Sequence, residues 1–580
     1  MINDGFCRLV LCILMLFCMS KLSDARTIWY NPDKSDSAIL YGQAFQGQAR
    51  EGYYHRLPLK YKEVVREPVW KFAKNSAGES LVFCTDAEEI SVRYSLANHR
   101  DMPHMPKTGS MGIDLYTYDK DGNEVWLVGN YQFRDTVVYR FSPIMVENGP
   151  KLKHYTLYLP LYSEVEWLEV GVPEEAMFCF DPVISGKPIV AYGTSICQGA
   201  CASRPAMAWS NILQRRLGHE VVNLGFSGNA HLENEVMDIL AEIDARIYIL
   251  DAMPNVCCFK PKAIFEAVLR SVRRLRSNRP ETPILLVDHL GYPHANSNPD
   301  AKEIQMNVLA MQRKAYEQLL AEGFTGLYYL SHDEIALPQD ATVEGVHVSD
   351  YGMVAYADAY EKKLREILNE PVGVCQTTIP VVQQRDTYQW MTRHREVMKQ
   401  AAGNHYSRVL IGDSIMHFWG GAEDAPIKAG TSVWNEFEGT SLNMGCGSDR
   451  IENVLWRIYH GQLDNLTADR IYLTIGVNNI FAGSGDDDIA IGISTLVEII
   501  KSRRPEAEVV MIGILPCRNN EARIREINKI LKSLAVRQKV MFEDPGYLLL
   551  RRKDRINEYL FLDGLHPNEE GYRLLAPYYM

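Results

Sequence analysis

The chain has 580 residues, with 61 Lys and Arg against 73 Asp and Glu, giving a net charge of −12. That balance speaks against nucleic acid and anionic membrane as partners, because both require clustered Lys and Arg. The length suggests several domains, each able to bury its own core without a disulfide framework.

Residues 1–25 carry Arg8, an apolar run over 9–19 and the small-x-small triplet Ser23-Asp24-Ala25. This is the pattern of a secretory signal peptide cut after Ala25, and the run is too short to span a bilayer. Phe17 before Cys18 argues against a lipoprotein. No later segment reaches 18 uninterrupted apolar residues, so no membrane insertion is expected. Nine cysteines follow, at 84, 179, 197, 201, 257, 258, 375, 446 and 517. They show no C-x-x-C pairing, and an odd number cannot all pair within one chain. Most read as small buried hydrophobes. A disulfide between Cys201 and the Cys257-Cys258 pair stays open.

Residues 26–185 alternate in short stretches at 81–83, 90–94, 136–140, 155–159 and 167–172, separated by turn chemistry such as Lys120-Asp121-Gly122-Asn123. The pattern predicts an antiparallel β-sandwich, jelly-roll-like, with no helix. Over 186–370 the rhythm switches to strands at 189–192, 221–224, 247–250, 284–287 and 327–330. Helices are expected between them at 209–217, 232–243, 261–276, 303–322 and 351–368. Residues 371–395 read as a linker and a leading helix. Over 396–580 the rhythm restarts, with strands at 409–411, 442–444, 471–475, 509–514 and 540–542 and helices at 451–459, 489–501 and 524–537. The fold class is therefore α/β: two flavodoxin-like three-layer α/β/α domains after a β-sandwich.

One constellation occurs twice. Gly193-Thr194-Ser195 ends the first strand of one α/β domain, with Glu344-Gly345-Val346-His347 far downstream. Gly412-Asp413-Ser414 ends the first strand of the other, with Asp563-Gly564-Leu565-His566 downstream. Each serine precedes its histidine by 152 residues. Serine, histidine and acid are the nucleophile, base and orienting group of acyl transfer. A serine in such a turn is also a common helix N-cap, but two matches at equal spacing favour catalysis. Oxyanion donors are expected after the second and third strands. These are Asn223-Leu224-Gly225-Phe226-Ser227-Gly228 with Asp251-Ala252-Met253-Pro254-Asn255, and Asn443-Met444-Gly445-Cys446-Gly447-Ser448 with Gly476-Val477-Asn478.

In order and content, these blocks resemble the SGNH/GDSL hydrolase superfamily. The resemblance implies Ser195 and Ser414 as nucleophiles, His347 and His566 as bases, and Glu344 and Asp563 as acids. It implies an oxyanion hole of Gly228 and Asn255 in one domain and of Ser448 and Asn478 in the other. Glu344 stands where the family has Asp, Ser448 where it has Gly, and Asn255 is offset by two residues from the G-x-N spacing. The segments WMTRHREVM, VLIGDS, LNMGCGSDRIENVLWRI and LPCR resemble platelet-activating-factor acetylhydrolase catalytic subunits, implying a small acyl pocket. Gly112-Ile113-Asp114-Leu115-Tyr116 is similar to the GxDLY motif of a sandwich module that accompanies another SGNH branch, and reads as a determinant of the sandwich fold.

Asp413 reads as a loop-orienting acid, Trp434 and Trp456 as core, and His289, His294, His394 and His405 as surface or core. Arg204 fits a pocket wall or a helix cap. The expectation is a secreted or periplasmic carbohydrate O-acetylesterase acting on an acetylated oligo- or polysaccharide, with no metal or cofactor. The alternatives are a glycan-binding protein with one degenerate copy and a phospholipid, thioester or short-chain acyl ester hydrolase. The sequence leaves the glycan and the oligomeric state open.

Overall fold

The computed structural model describes residues 26–579 apart from 98–100, 120–121, 147–151, 184–185, 384–387, 421–424, 437 and 553. The expected signal peptide lies outside the described residues.

The chain is α/β, with antiparallel sheets first and two parallel-sheet units after them. One antiparallel sheet runs Thr27–Tyr30, Val165–Pro173, Ile90–Leu96, Thr136–Phe141, Asn130–Gln132 in spatial order. The other runs Phe178–Phe180, Ser80–Thr85, Lys153–Tyr158, Asp114–Tyr118, Glu124–Leu127, with Leu40–Tyr41 beside Ser80–Thr85. Strand alternation sends Val92, Tyr94, Val137 and Tyr139 from the first sheet, and Leu81, Phe83 and Leu157 from the second, into one core.

The expectation of no helix within 26–185 is corrected by Glu67–Ala73. Pro68 sits in its first turn, where a missing N–H costs nothing. Val69, Trp70 and Ala73 form a short apolar face, which packs with Phe45, Leu57 and Tyr61 into the core of the first parallel sheet. Seven residues are too few to display a helical period in the sequence.

The first parallel sheet has the spatial order Val221–Gly225, Ile189–Gly193, Ile247–Asp251, Ile284–Val287, Leu327–Leu330. Its first strand is buried throughout, as a strand covered on both faces must be. Trp209–Leu217 and Asp350–Leu368 cover one face. Asn234–Glu242, Pro261–Asn278 and Pro299–Ala321 cover the other. The second sheet repeats the order with Ser441–Asn443, Asn404–Gly412, Leu466–Thr474, Glu508–Ile512, Met541–Glu543. In both, strand order reverses at the first strand, which opens a crevice beyond its carboxyl end.

The GxDLY segment joins the sandwich to the first parallel unit. Asp114 Oδ2 accepts hydrogen bonds from Arg204 Nη1 (3.1 Å) and the Ala206 amide (2.9 Å), and Oδ1 accepts from Trp126 Nε1 (3.2 Å). Arg204 also donates to Tyr116 Oη (2.9 Å) and lies 4.1 Å over the Trp126 ring. Arg204 stands at the N-cap of the short helix Pro205–Met207 while its side chain turns to Asp114, which ties two folds together. Between the parallel units, buried Glu370 accepts from His219 Nε2 (2.8 Å) and Arg503 Nη2 (3.2 Å). The segment after it is anchored rather than loose: Thr377 Oγ1 donates to Asp488 O (2.6 Å) ahead of the helix Trp390–Ala401. Among the described residues no helix is long and apolar enough to cross a membrane.

Candidate active sites

Both serines open a one-turn helix at the strand-order switch. Ser195–Gln198 follows Ile189–Gly193, and Thr194 caps it by accepting from the Ile196 amide (3.2 Å). Ser414–His417 follows Asn404–Gly412, and Asp413 does the same for the Ile415 amide (2.9 Å). Asp413 is therefore a cap beside the serine. Burial pushes its carboxyl up to about 7, with the Ile415 bond opposing. The folded state thus keeps this proton to higher pH than the unfolded chain, whose carboxyl titrates near 3.8. Its stabilisation is complete below about pH 4 and lost as pH rises through about 7. Asp413→Asn keeps the capping oxygen and removes the titration. The variant's unfolding temperature is expected to fall less than the parent's between pH 5 and 8, as calorimetry would read.

In the first unit Ser195 Oγ lies 2.8 Å from His347 Nε2, and His347 Nδ1 lies 2.6 Å from Glu344 Oε1. Glu344 Oε1 also accepts from the His347 amide (3.1 Å). In the second unit Ser414 Oγ is 2.9 Å from His566 Nε2, and His566 Nδ1 is 2.7 Å from Asp563 Oδ2. Asp563 Oδ1 accepts from the His566 (2.8 Å) and Leu565 (2.9 Å) amides. A carboxylate only accepts, so each Nδ1 carries the proton and each Nε2 faces its serine as acceptor. Burial raises the Asp563 carboxyl's pKa, but these amide and imidazole donors outweigh it and hold the group below its ordinary range. Both serines are buried, while the acids are 39% and 50% exposed.

The second-strand loops are built alike. Asn223 Oδ1 accepts from the Gly225 amide and Asn443 Oδ1 from the Gly445 amide, both at 2.9 Å. The Ser227 amide donates to Gln198 Oε1 (3.1 Å), and the Gly447 amide donates to His417 Nδ1 (3.1 Å). The next residues, Gly228 and Ser448, share a left-handed backbone at φ +70 and +62. Ser448 thus accepts the strain of a conformation that favours glycine. Asn255 stands four residues beyond Asp251, the partner of Gly193, and Asn478 stands four beyond Thr474, the partner of Gly412. Both asparagines thus lie four residues past the strand pairing, with Met253 where the second copy has Gly476, but Asn255 is the third residue of its helix and Asn478 the second of its own. Asn255 Oδ1 accepts from the Ala230 amide (3.1 Å), and Asn478 Nδ2 donates to Asp449 O (2.8 Å).

Sequence reasoning missed two supporting arginines. Arg56 Nη1 donates to Asn223 O and Gly225 O, both at 2.9 Å. Arg393 donates to Asn443 O (2.6 Å) and Gly445 O (3.2 Å). Both are buried and grip the same two carbonyls of their loops. Arg393 lies in the WMTRHREVM block, whereas no pattern marks Arg56, which reaches the first unit from outside its sheet. Cys201 lies with His104 and His347, not with Cys257, whose Sγ is 3.9 Å from Cys258 Sγ. His289, His394, Trp434 and Trp456 are buried, and His294 and His405 are exposed. A cavity of about 1050 Å³ where the three folds meet is lined by Tyr158, His219, Arg246, His394 and Trp456, and neither serine lines it.

Fold and site define a serine hydrolase of the three-layer α/β/α class, present twice behind a β-sandwich. Residues 186–365 and 410–574 match the GDSL-like Lipase/Acylhydrolase family, and residues 27–178 match the GxDLY N-terminus of Esterase_SGNH_hydro-type. The solved structure of a GDSL-like protein from Bacteroides ovatus is 30% identical, with a TM-score of 0.54, over 59% of this chain and 98% of that one. Platelet-activating factor acetylhydrolase IB subunit alpha1 of Homo sapiens is 26% identical over 202 residues, 33% of this chain and 82% of its own length. The alpha2 subunit of Homo sapiens is 24% identical over 192 residues, 32% of this chain and 78% of its own. The chain belongs to the SGNH/GDSL hydrolase superfamily, with tandem GDSL-like esterase domains.

Proposed function

We propose that the chain is a secreted carbohydrate O-acetylesterase with two active sites working through acetyl-serine intermediates. The observation that carries the reading is the pair of serine–histidine–acid chains, each closed at hydrogen-bond distance. Ser195 or Ser414 Oγ attacks the ester carbonyl while His347 or His566 Nε2 takes its proton. The Gly228 and Ser448 amides, with the Asn255 and Asn478 carboxamides, donate to the oxyanion. The histidine then protonates the departing sugar oxygen. It next deprotonates a water that attacks the acetyl carbon, releasing acetate and regenerating the serine.

The acetyl choice draws on the acetylhydrolase relatives and on the second-domain blocks similar to them. The carbohydrate choice draws on the signal-peptide pattern and the attached sandwich. The half-exposed acids also favour it, since a site at the surface admits a bulky alcohol that need not thread a tunnel. The relatives' name favours a second reading, a short-acyl phospholipid ester at the second site.

Acetate release from acetylated xylan, mannan and pectin, beside an acetyl-glycerophospholipid, tests the proposal. Rates on acetyl esters are expected to exceed those on octanoyl esters at least about tenfold, since each added methylene must fit or be refused at roughly 1–3 kcal/mol. Ser195→Ala and Ser414→Ala should each abolish one component of turnover, and the double variant should be inert toward acetyl esters. If one single variant removes all turnover on every substrate, the other copy is a scaffold.

A further inference from the structure

Three metal-ligating side chains converge at the first site, and the ester chemistry needs only one of them. His104 comes from the sandwich, Cys201 lies six residues beyond Ser195, and His347 faces that serine. One ligand atom from each lies within 4.8 Å of the others. The His104 and His347 rings stack with centroids 5.4 Å apart. Cys201 is buried and sits at φ +70, so the turn after the one-turn helix fixes where its sulfur points. The sandwich is held against this turn: Thr108 Oγ1 donates to Ser203 O (2.7 Å), and Asp114 clasps Arg204.

We propose that His104, Cys201 and His347 form a zinc site whose occupation switches off the first active site and leaves the second untouched. The inference rests on reading His347 as the base for Ser195. Two imidazoles and a thiolate suit zinc, and a solvent water completes the tetrahedron. Zn–N bonds of about 2.0–2.1 Å and a Zn–S bond of about 2.3 Å place ligand atoms about 3.5 Å apart. Closing the trio therefore takes shifts on the order of 1 Å. On binding, the Cys201 S–H bond breaks as the S–Zn bond forms, and the proton leaves to solvent. Nδ1 of His347 serves Glu344 and Nε2 serves Ser195. A metal on either nitrogen breaks that chain, and the Ser195 proton loses its acceptor.

The second site is the internal control. Six residues beyond Ser414 stands Gly420, and among the described residues no such trio includes His566. The thiols of Cys84 and Cys179, which form a second cluster with Asp181, are removed in the test by Cys84→Ser and Cys179→Ser in every arm.

In that background, Ser414→Ala isolates the first site and Ser195→Ala the second. Micromolar zinc is expected to inhibit the first site at least about tenfold and to leave the second within about twofold, with EDTA restoring the rate. Cys201→Gly, which installs the second site's residue, and His104→Gln should each weaken zinc inhibition of the first site by about tenfold or more. Cobalt(II) titration should give a thiolate-to-cobalt absorption band that disappears in Cys201→Gly. Equal inhibition of both sites, or unchanged sensitivity in both variants, overturns the zinc switch. The cobalt band reports the site even if the first domain proves inactive on every ester. Its presence with no turnover would therefore sink the esterase reading alone, and its absence would sink the metal site alone.

Discussion

Glu344→Gln is expected to lower kcat at the first site by about 10²- to 10⁴-fold with KM changed less than about threefold. The carboxylate holds the His347 proton on Nδ1 at 2.6 Å, leaving Nε2 free to accept from Ser195. An amide carries both a donor and an acceptor, so its NH₂ end can face Nδ1 and select the wrong tautomer. It also cannot offset the positive charge that develops on the imidazole. In a well-studied Ser-His-Asp triad the equivalent Asp→Asn change costs about 10⁴ in kcat with the geometry intact. The lower end of the range reflects the 39% exposure of Glu344, since water screens the lost charge. Glu344→Asp should recover part of the rate, because a shorter acid reaches Nδ1 only if the turn shifts. Both variants are measured on an acetyl ester with Ser414→Ala also present, so that only the first site turns over. A Gln variant with an unchanged rate would mean that the acid does not orient His347.

The α/β rhythm was legible because strands such as Ile189–Gly193, Val221–Gly225, Ile247–Asp251 and Ile284–Val287 are buried throughout and therefore read as continuous apolar runs. The serine turns were legible because a strand ending in Gly-x-Ser leaves few alternatives, and the acid-x-x-His spacing is local. What escaped were contacts made across folds. Arg56 reaches the Asn223 and Gly225 carbonyls over 167 and 169 residues of chain. Nothing in its neighbourhood has a period that announces a buried cation. Asp114 was visible as a motif, but its partner Arg204 is 90 residues away, so the clasp exists only in the folded chain. Asn255 depends on where the count begins. Counted from the strand end both asparagines are four residues on, yet counted from the helix start Asn255 is third and Asn478 second, so the turn between strand and helix differs in the two copies.

Arg457→Met is expected to destabilise the second α/β unit by about 3–5 kcal/mol and to remove Ser414-dependent turnover while sparing the first site. Arg457 and Asp449 are fully buried, with Arg457 Nε 2.8 Å from Asp449 Oδ2. Asp449 Oδ1 also accepts from Trp390 Nε1 and Gln383 Nε2, each at 2.7 Å, and Arg457 Nη1 donates to Met444 O (2.9 Å). The pair thus pins both ends of the 444–449 loop, whose Ser448 offers the candidate oxyanion amide. The Asp449 carbonyl accepts from Asn478 Nδ2 (2.8 Å), so the other candidate donor depends on it too. Removing the guanidinium leaves a carboxylate buried without its countercharge, the costly way to break such a pair. Replacing both partners by apolar side chains is far cheaper. Arg457→Met with Asp449→Leu should therefore recover part of the stability, limited by the stranded Trp390 and Gln383 donors. Turnover should not return with it, because an apolar pair no longer grips the Met444 carbonyl or sets the loop. Calorimetry on the full chain, with acetyl-ester rates in the Ser195→Ala background, reads both quantities. A single variant within about 1 kcal/mol of the parent, or a double variant with full second-site turnover, would show that the loop holds its shape without the buried pair.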